Sequence, residues 1–339
     1  MDSKKMMAIL AVAIVAVAAV GVYVIMSGDD GKEGSLKVVY LNKGGYETFM
    51  VAEEKGFYDD LDFNMERLLV TGSGQDAVNA LLADDADIAA TGEGPVINTL
   101  LAHRDDIVLL ASYTVSIGGQ VWVTKENSGV LTEGPVQDRA DSMKGKTAVV
   151  IAGSSTESIF KRWCAAYGLE ISSSVDANKL CLKTVENGAV LLESFGTDAS
   201  IDILAASQPY PTTAMTQFGA IKVGDSSDIN ANSLTMLVTT KAKYEEKKEM
   251  MKDFVTALYE TTKYINENKT ECIKICSDRI GNSVAEETTA FAGVTFQVSY
   301  NDVIIDTLFA AAEAKPANPL TRDFIISVCP LKEYLDTLA

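Results

Sequence analysis

Apolar and polar positions alternate along the chain in a pattern typical of α/β proteins. Short apolar runs, such as residues 35–41 (SLKVVYL) and 64–70, predict buried strands. Between these two runs, Phe49 and Ala52 follow helical spacing, and Gly56 is suited to ending the helix. Strands that alternate with helices in this way predict a mostly parallel sheet with helices on both faces.

The same alternation restarts near residue 120 and predicts a second α/β unit. Beyond it, residues 244–279 predict a long helical region, in which Met251, Phe254 and Leu258 belong to one buried stripe. We therefore predict two α/β lobes with a hinge, and we divide the chain into four segments. They are an N-terminal membrane anchor or signal segment with its linker (1–34), the first part of lobe 1 (35–119), lobe 2 (120–224), and the return to lobe 1 with C-terminal helices (225–339).

Three glycine-rich turns follow three successive predicted strands of lobe 1. They are KGGY at 43–46, TGSG at 71–74 and TGEG at 91–94, and each comes directly before a predicted helix. Glycine lets a ligand approach the backbone, and the helix N-terminus offers free N–H groups. In α/β sheets, ligands bind beyond the carboxyl ends of the strands. The three turns therefore predict one shared binding site.

Lobe 2 offers a matching helix start, in which the hydroxyls of SSTES follow the strand 147–153. Hydroxyls and free N–H groups at a helix N-terminus favour an anionic or strongly polar ligand group. The segment SQPYP at 207–211 is predicted to return toward the first lobe. The candidate ligand-binding residues are Gly44, Gly45, Tyr46, Ser73, Gly74, Gln75, Thr91, Gly92, Glu93, Tyr113, Gly153, Ser154, Ser155, Thr156, Gln208 and Tyr210.

The N-terminal run from Met6 to Met26 carries no charged residue. It is long enough to cross the roughly 30 Å hydrocarbon core as a helix. Lys4 and Lys5 precede the run, so the positive-inside rule predicts a single-pass anchor in the cell membrane with the binding domain extracytoplasmic. A cleaved signal peptide is the alternative, because residues 16–18 resemble a small-residue cleavage site. We favour the uncleaved anchor, since the apolar run continues past that site.

The net charge restricts the class of partner, and the cysteine content bears on disulfides and metal sites. The formal net charge of -18 makes nucleic acid an unsuitable partner, because phosphate binding needs concentrated Lys and Arg. Five cysteines do not form a full set of disulfides, although Cys164 with Cys181 is a candidate pair. Cys272 and Cys276 are predicted to share one face of a helix. Two small buried residues are a simpler interpretation of this pair than a metal site. We expect no cofactor and no metal.

Enzyme chemistry is not indicated by any motif. The chain has no HExxH, no nucleophile elbow and no GxxxxGK. Its one histidine, His103, precedes the polar sequence RDD and is predicted to lie on the surface. We therefore predict a binding protein without catalytic residues.

The sequence resembles ABC-transporter solute-binding proteins of the nitrate, sulfonate and taurine type, a superfamily that includes binders of thiamine-pyrimidine precursors. The resemblance lies in GGYETFMVAEEKGFYDD, in TGSGQDAVNALLADDADIAATGEGP and in SIDILAASQP. It implies a type II periplasmic-binding-protein-like fold that closes around a solute and presents it to an ABC permease and its ATPase. Ala83 and Asp84 stand where the family commonly has Gly, which affects a turn more than a pocket.

The resemblance leaves the ligand open among a sulfonate, another oxyanion and a pyrimidine-like molecule. Lys43 is the only Lys or Arg close to the candidate turns, so an oxyanion would depend on backbone and hydroxyl donors. Glu93 disfavours a bare anion and favours an amine or a ring N–H. Two other functions stay open: an extracellular sensor or adhesion module, and a pyrimidine-synthase-like enzyme, whose cysteine-rich motif this chain lacks.

Overall fold

The structure is a computed structural model, which describes residues 32–315 and 320–338 and the backbone of residues 23–26. Its strands are β1 (Tyr23–Met26), β2 (Ser35–Leu41), β3 (Asn64–Val70), β4 (Ile88–Gly92), β5 (Ile107–Ile117), β6 (Gln120–Thr124), β7 (Thr147–Ile151), β8 (Ile171–Ser172), β9 (Leu180–Val185), β10 (Ile203–Ser207), β11 (Ile221–Asp225), β12 (Asn232–Thr240) and β13 (Val294–Ser299). Its α-helices are α1 (Glu47–Glu54), α2 (Gly74–Leu82), α3 (Glu93–Ala102), α4 (Val136–Asp141), α5 (Ser155–Ala166), α6 (Gly188–Thr197), α7 (Tyr210–Phe218), α8 (Lys241–Glu267), α9 (Lys269–Ile280), α10 (Val284–Ala292), α11 (Asp302–Glu313), α12 (Arg322–Ser327) and α13 (Lys332–Leu338). A short 3-10 helix covers Ser226–Ile229.

The strands form two sheets, and each sheet is the centre of one lobe. The first lobe contains the order β1-β3-β2-β4-β12-β5-β13, and the second contains β11-β6-β10-β7-β9-β8. The chain crosses between the sheets at residues 118–119 and returns at 226–231. The prediction that residues 207–211 form the return is wrong, because they connect β10 to α7 within the second lobe and β11 still pairs in the second sheet. The two-lobed α/β architecture predicted from the sequence is therefore confirmed.

The expectation of mostly parallel sheets is wrong for the first lobe. Only the β2–β3 and β2–β4 pairs are parallel among its described pairings. The strand β12 runs antiparallel to both β4 and β5, and β13 runs antiparallel to β5. The reason is the return crossover, because a strand that re-enters the sheet from the other lobe arrives in the opposite direction.

Period-two burial in the second sheet explains why helices cover both of its faces. Trp122 and Val150 lie in one apolar cluster, with Phe160 and Trp163 of α5. Their strand neighbours instead belong to the cluster on the opposite face, with Phe195 of α6. Successive strand side chains point to opposite faces, so two apolar faces require two helical layers.

The end of the N-terminal apolar run differs from the predicted helix. Residues Tyr23–Met26 form β1, which pairs antiparallel with β3 from Tyr23 opposite Leu69 to Met26 opposite Glu66. This pairing satisfies backbone groups along the edge of β3 that would otherwise be unpaired. Residues 6–22 of the proposed anchor lie outside the described residues. No helix in the described part of the chain has the length and apolar character needed to cross a membrane.

All five cysteines are free and buried, so the candidate disulfide between Cys164 and Cys181 is not formed. Cys272 and Cys276 lie in the first-lobe core, in agreement with their interpretation as small buried residues. Among the described residues, no group of three His, Cys, Asp or Glu side chains could hold a metal ion. Burial raises the pKa of the Cys272 thiol to about 11.

We predict that Phe254→Ala destabilises the first lobe by about 3–5 kcal/mol, the usual cost of removing a buried aromatic side chain. Phe254 is fully buried on α8, with its ring centroid 6.1 Å from that of Phe49 and 5.8 Å from that of Tyr58. Urea unfolding followed by circular dichroism measures the effect. Val175→Ala is the control, because Val175 is 73% exposed and its truncation should change stability by less than about 0.5 kcal/mol. Equal midpoints for the two variants would contradict the assignment of this core.

Candidate functional site

A cleft of about 770 Å³, partly open to solvent, lies between the two lobes. Both lobes contribute to its wall, and so does the return crossover. The lining residues are Lys43, Gly44, Gly45, Tyr46, Glu47, Gly74, Gly92, Pro95, Thr114, Ser116, Gly119, Gln120, Ser154, Ser155, Thr156, Ser207, Gln208, Ser233, Leu234, Thr235, Ala290 and Val294.

The first-lobe part of the wall is built from the turns after three strands. Because β2, β3 and β4 run in the same direction, their carboxyl ends meet at one edge of the sheet. Gly44, Gly74 and Gly92 each stand at one of these ends and line the cleft. Thr91 holds two of the turns together by donating its hydroxyl to the Gly74 carbonyl at 2.8 Å.

The second-lobe part of the wall is the N-terminus of α5. Ser154 caps this helix, its Oγ accepting from the Glu157 N–H at 3.2 Å. The Thr156 hydroxyl donates to the side-chain carbonyl of Gln120 on β6. Gln120 in turn donates to the Ser233 hydroxyl of the first lobe at 3.1 Å. A chain of polar side chains therefore runs along the cleft from one lobe to the other.

The lobes touch where α3 of the first lobe meets α5 of the second. A Cβ added at Gly94 would lie 3.1 Å from the Cα of Ser155, and one added at Gly92 would lie 2.1 Å from its Oγ. The Gly94 N–H donates to Ser155 Oγ at 3.4 Å. Glycine at these positions allows the two helix N-termini to meet, so the structure represents a closed arrangement of the lobes.

Glu47, at the start of α1, places a buried carboxyl group in the cleft wall. Its Oε2 accepts from the Gly45 N–H at 2.9 Å, while its buried Oε1 has no hydrogen-bond partner among the described residues. Burial, together with the nearby Glu287 carboxyl, raises the pKa of Glu47 above its usual range. The orphaned Oε1 is therefore an acceptor at the site that the protein itself leaves unsatisfied.

Glu93 is a second fully buried carboxyl group, but it accepts more hydrogen bonds from the protein than Glu47 does. Its Oε2 accepts from the Leu234 N–H at 3.0 Å and from the Ser233 hydroxyl at 3.3 Å. Burial raises the pKa of Glu93, whereas these backbone contacts and the charge of Arg162 on α5 oppose that rise. Glu93 therefore joins the lobes and the return strand, and it does not line the open cleft.

Lys43 is the only basic side chain along the described cleft wall. Burial lowers its pKa to about 8, because a charged ammonium loses hydration in the cleft. A fraction of neutral amine is consequently present near neutral pH. The cleft therefore offers a weaker positive charge than a surface lysine would.

Nine of the sixteen predicted site residues line the cleft, and seven do not. Those that line it are Gly44, Gly45, Tyr46, Gly74, Gly92, Ser154, Ser155, Thr156 and Gln208. Three of the others stabilise the structure around the cleft. Ser73 caps α2, and Thr91 and Glu93 make the contacts described above. Gln75 donates to Asn79 on its own helix at 3.2 Å.

The remaining three are Gly153, Tyr113 and Tyr210, which make other contacts. Gly153 has a φ of 68° and forms the turn before α5, where its N–H donates to Glu157 at 2.7 Å. Tyr113 is fully buried, with its ring edge-on to Phe49. Tyr210 packs its ring over Gly188 at the start of α6, where a Cβ would lie 1.9 Å from the ring. His103 is exposed, as predicted.

Sequence reasoning missed the polar side chains on the two long antiparallel strands. Thr114 and Ser116 of β5 face the cleft together with Ser233 and Thr235 of β12, and the Thr114 hydroxyl donates to that of Thr235 at 2.8 Å. A period-two pattern of hydroxyl residues in otherwise apolar runs was the available signal. Glu47 gave no such signal, because an acidic residue at a helix start is ordinary.

We predict that Gly94→Ala keeps both lobes folded but disfavours their closed arrangement. The added Cβ would approach the Ser155 Cα at 3.1 Å and the Ser154 carbonyl oxygen at 3.3 Å, both of them backbone atoms of the other lobe. Small-angle X-ray scattering should therefore give a larger radius of gyration than for the wild type. Gly293→Ala is the matched control, since its Cβ would meet only the Ile117 oxygen at an ordinary 3.4 Å. An unchanged radius for Gly94→Ala would contradict the contact.

Comparisons with known proteins agree with this geometry. The model of the NMT1-like family matches residues 29–281. No curated protein matches the chain.

Solved structures share the two-lobed fold at low sequence identity. The alkanesulfonate-binding protein SsuA from Xanthomonas axonopodis pv. citri, bound to MOPS, has a TM-score of 0.69 at 13% identity, covering 88% of this chain and 98% of its own. The periplasmic nitrate-binding protein NrtA from Synechocystis PCC 6803 has a TM-score of 0.68 at 15% identity, and the match covers 89% of this chain and 87% of NrtA. The desulfurization enzyme DSZB has a TM-score of 0.62 at 12% identity, covering 90% and 99%. By its family match and by its two-lobed α/β fold around a shared cleft, this chain belongs to the NMT1-like family and resembles periplasmic binding proteins.

Proposed function

We propose that the protein is an extracytoplasmic solute-binding receptor that captures a small polar molecule between its lobes and delivers it to an ABC importer. The observation that carries this proposal is the shared cleft, whose wall takes residues from both sheets and from the return crossover. A ligand that contacts both lobes favours the closed arrangement, because only differential affinity for that arrangement shifts the equilibrium. The closed form is then the shape that a permease recognises.

The hinge is consistent with such a cycle. Only the two segments 118–119 and 226–231 connect the described parts of the two sheets. The Gly118 N–H donates to the Ser226 hydroxyl at 2.9 Å, which ties the two segments together. Two short neighbouring connections are the arrangement expected for hinge closure around a ligand.

We further propose that the protein catalyses no reaction, although the desulfurization enzyme DSZB has a similar two-lobed fold. The one histidine is exposed and away from the cleft, and all five cysteines are buried. Burial raises the pKa of Cys164 and of Cys329 to about 12, so these thiols are protonated at neutral pH. The described cleft wall therefore supplies neither an imidazole base nor a thiolate.

Ligand capture predicts that a true solute both stabilises and compacts the purified full-length protein. At about 100 times its dissociation constant, the ligand should add roughly 2.7 kcal/mol to the free energy of unfolding. Thermal unfolding against sulfonates, nitrate, pyrimidines and amines measures this gain, and scattering measures closure. In cells, deletion of the gene should abolish uptake of the same solute. Binding and compaction without loss of uptake would favour a sensor instead of a transport receptor.

We propose that residues 6–22 anchor the receptor in the cell membrane, with all the described residues outside. The apolar, uncharged composition of this run supports the proposal. The protein should therefore sediment with membranes, and its mass should correspond to a chain that retains the run. Deletion of residues 1–22, which keeps β1, should release it into the soluble fraction. A mature mass lacking the first sixteen to eighteen residues would instead establish a cleaved signal peptide.

A further inference from the structure

We propose that the ligand carries a protonated amine or amidine, whose N–H groups bridge the lobes by donating to the Glu47 carboxyl and to the Gln208 carbonyl. The inference rests on the proposed receptor function and adds the chemical class of the solute. It starts from the orphaned Oε1 of Glu47, on a fully buried side chain in the cleft wall.

Two oxygen acceptors from opposite lobes converge beside Gly44. A Cβ at Gly44 would lie 2.9 Å from the Gln208 carbonyl oxygen and 3.6 Å from Glu47 Oε1. Because Gly44 has no side chain, the Gln208 backbone carbonyl of the second lobe can approach its Cα closely, which brings this oxygen near Glu47 Oε1 at the cleft wall. Ammonium and amidinium groups carry several N–H donors and no acceptor, which is the chemistry that two convergent oxygens recognise.

The unsatisfied oxygen of Glu47 favours the same class. Glu47 is the one acidic group of the described wall and Lys43 its one cation, and burial raises the pKa of Glu47 and lowers that of Lys43, each to about 8. A positively charged N–H donor stabilises the Glu47 carboxylate and satisfies its Oε1, whereas a bare oxyanion would leave that oxygen without a partner.

Other titratable groups face Glu47 from every side. Glu287 of α10 lies close enough to raise its pKa, and the Cys276 thiol of α9 contacts its backbone oxygen at 3.9 Å. Tyr46 and Tyr113 complete the surroundings, and burial raises the pKa of both phenols, so they stay neutral. Burial raises the pKa of both the Glu47 and the Glu287 carboxyl groups toward neutral pH, whereas the phenols and the Cys276 thiol stay neutral.

Whether ligand binding releases or takes up a proton distinguishes a bound cation from a bound anion. A bound cation stabilises the Glu47 carboxylate and lowers its raised pKa, so binding releases a proton and becomes tighter as the pH rises toward the free-protein value. The cation also disfavours protonated Lys43, which adds release of the same sign. A bound anion would raise the pKa of Lys43, and its binding would take up a proton.

Titration calorimetry of the full-length protein in buffers of different ionisation enthalpy tests the inference. The probes are benzamidinium and ethylammonium, with benzamide as the neutral analogue and ethanesulfonate and nitrate as anions. We expect the two cations to bind with proton release and benzamide to bind at least tenfold more weakly. Absence of cation binding would overturn the inference. If ethanesulfonate or nitrate bound instead, with proton uptake, the receptor function would stand and only the ligand class would be wrong.

Substitutions at Glu47 and Gly44 test whether these residues are responsible for cation binding. Glu47→Gln keeps an oxygen for the Gly45 N–H but removes the charge, so benzamidinium should bind at least about tenfold more weakly and proton release should fall. Glu54→Gln, on the exposed side of the same helix, is the matched control and should leave both unchanged. Gly44→Ala would place a Cβ 2.9 Å from the Gln208 backbone oxygen, so it should displace this acceptor and also weaken cation binding. Cation binding that Glu47→Gln leaves intact would overturn the assignment, and the thermal midpoint of each variant verifies folding.

Discussion

The antiparallel pairing of β5 with β12 is the contact on which the rest of the structure depends. It runs from Ile107 opposite Thr240 to Ile117 opposite Asn232, and it places a strand that returns from the second lobe at the centre of the first sheet. Both connections between the lobes leave from one end of this pair, so the second lobe is held by two neighbouring segments. The cleft opens at that same end, and hydroxyl side chains of both strands face it. The connections between the lobes and one end of the cleft therefore both depend on this pairing.

Buried acidic groups give the cleft its chemical character. Helix N-termini usually favour negative charge, and Glu47 and Glu93 occupy the first positions of α1 and α3. The protein surrounds Glu93 with donors from the return strand, whereas it leaves one oxygen of Glu47 without a partner. A native structure tolerates such an orphaned acceptor at a cost in stability, and a ligand can recover that cost on binding. This difference distinguishes the structural role of Glu93 from the recognition role that we propose for Glu47.

Local sequence patterns predicted much of the fold. The run 35–41 is β2 and the run 64–70 is β3 with the predicted bounds, since short apolar segments between turns have few alternatives to a buried strand. The helical region 244–279 is instead two helices, which meet at Asn268. Strand direction was predicted less well, because periodicity reports which face is buried and carries no information on the partner strand. The antiparallel direction of β12 therefore became visible only in the structure.

Local patterns in the sequence were enough to establish the class of architecture, the family resemblance and the glycine turns, because these depend on residues near one another in the chain. Which of the candidate residues reach the cleft depends instead on tertiary packing. Thr91 and Tyr113 lie within β4 and β5, strands that reach the cleft, yet packing buries both side chains behind the wall. Glu47 lines the cleft without any local signal. The approach of Gly44 to Gln208 joins residues more than a hundred positions apart. Such contacts follow from how the two lobes close, and no periodicity along a single chain encodes that distance.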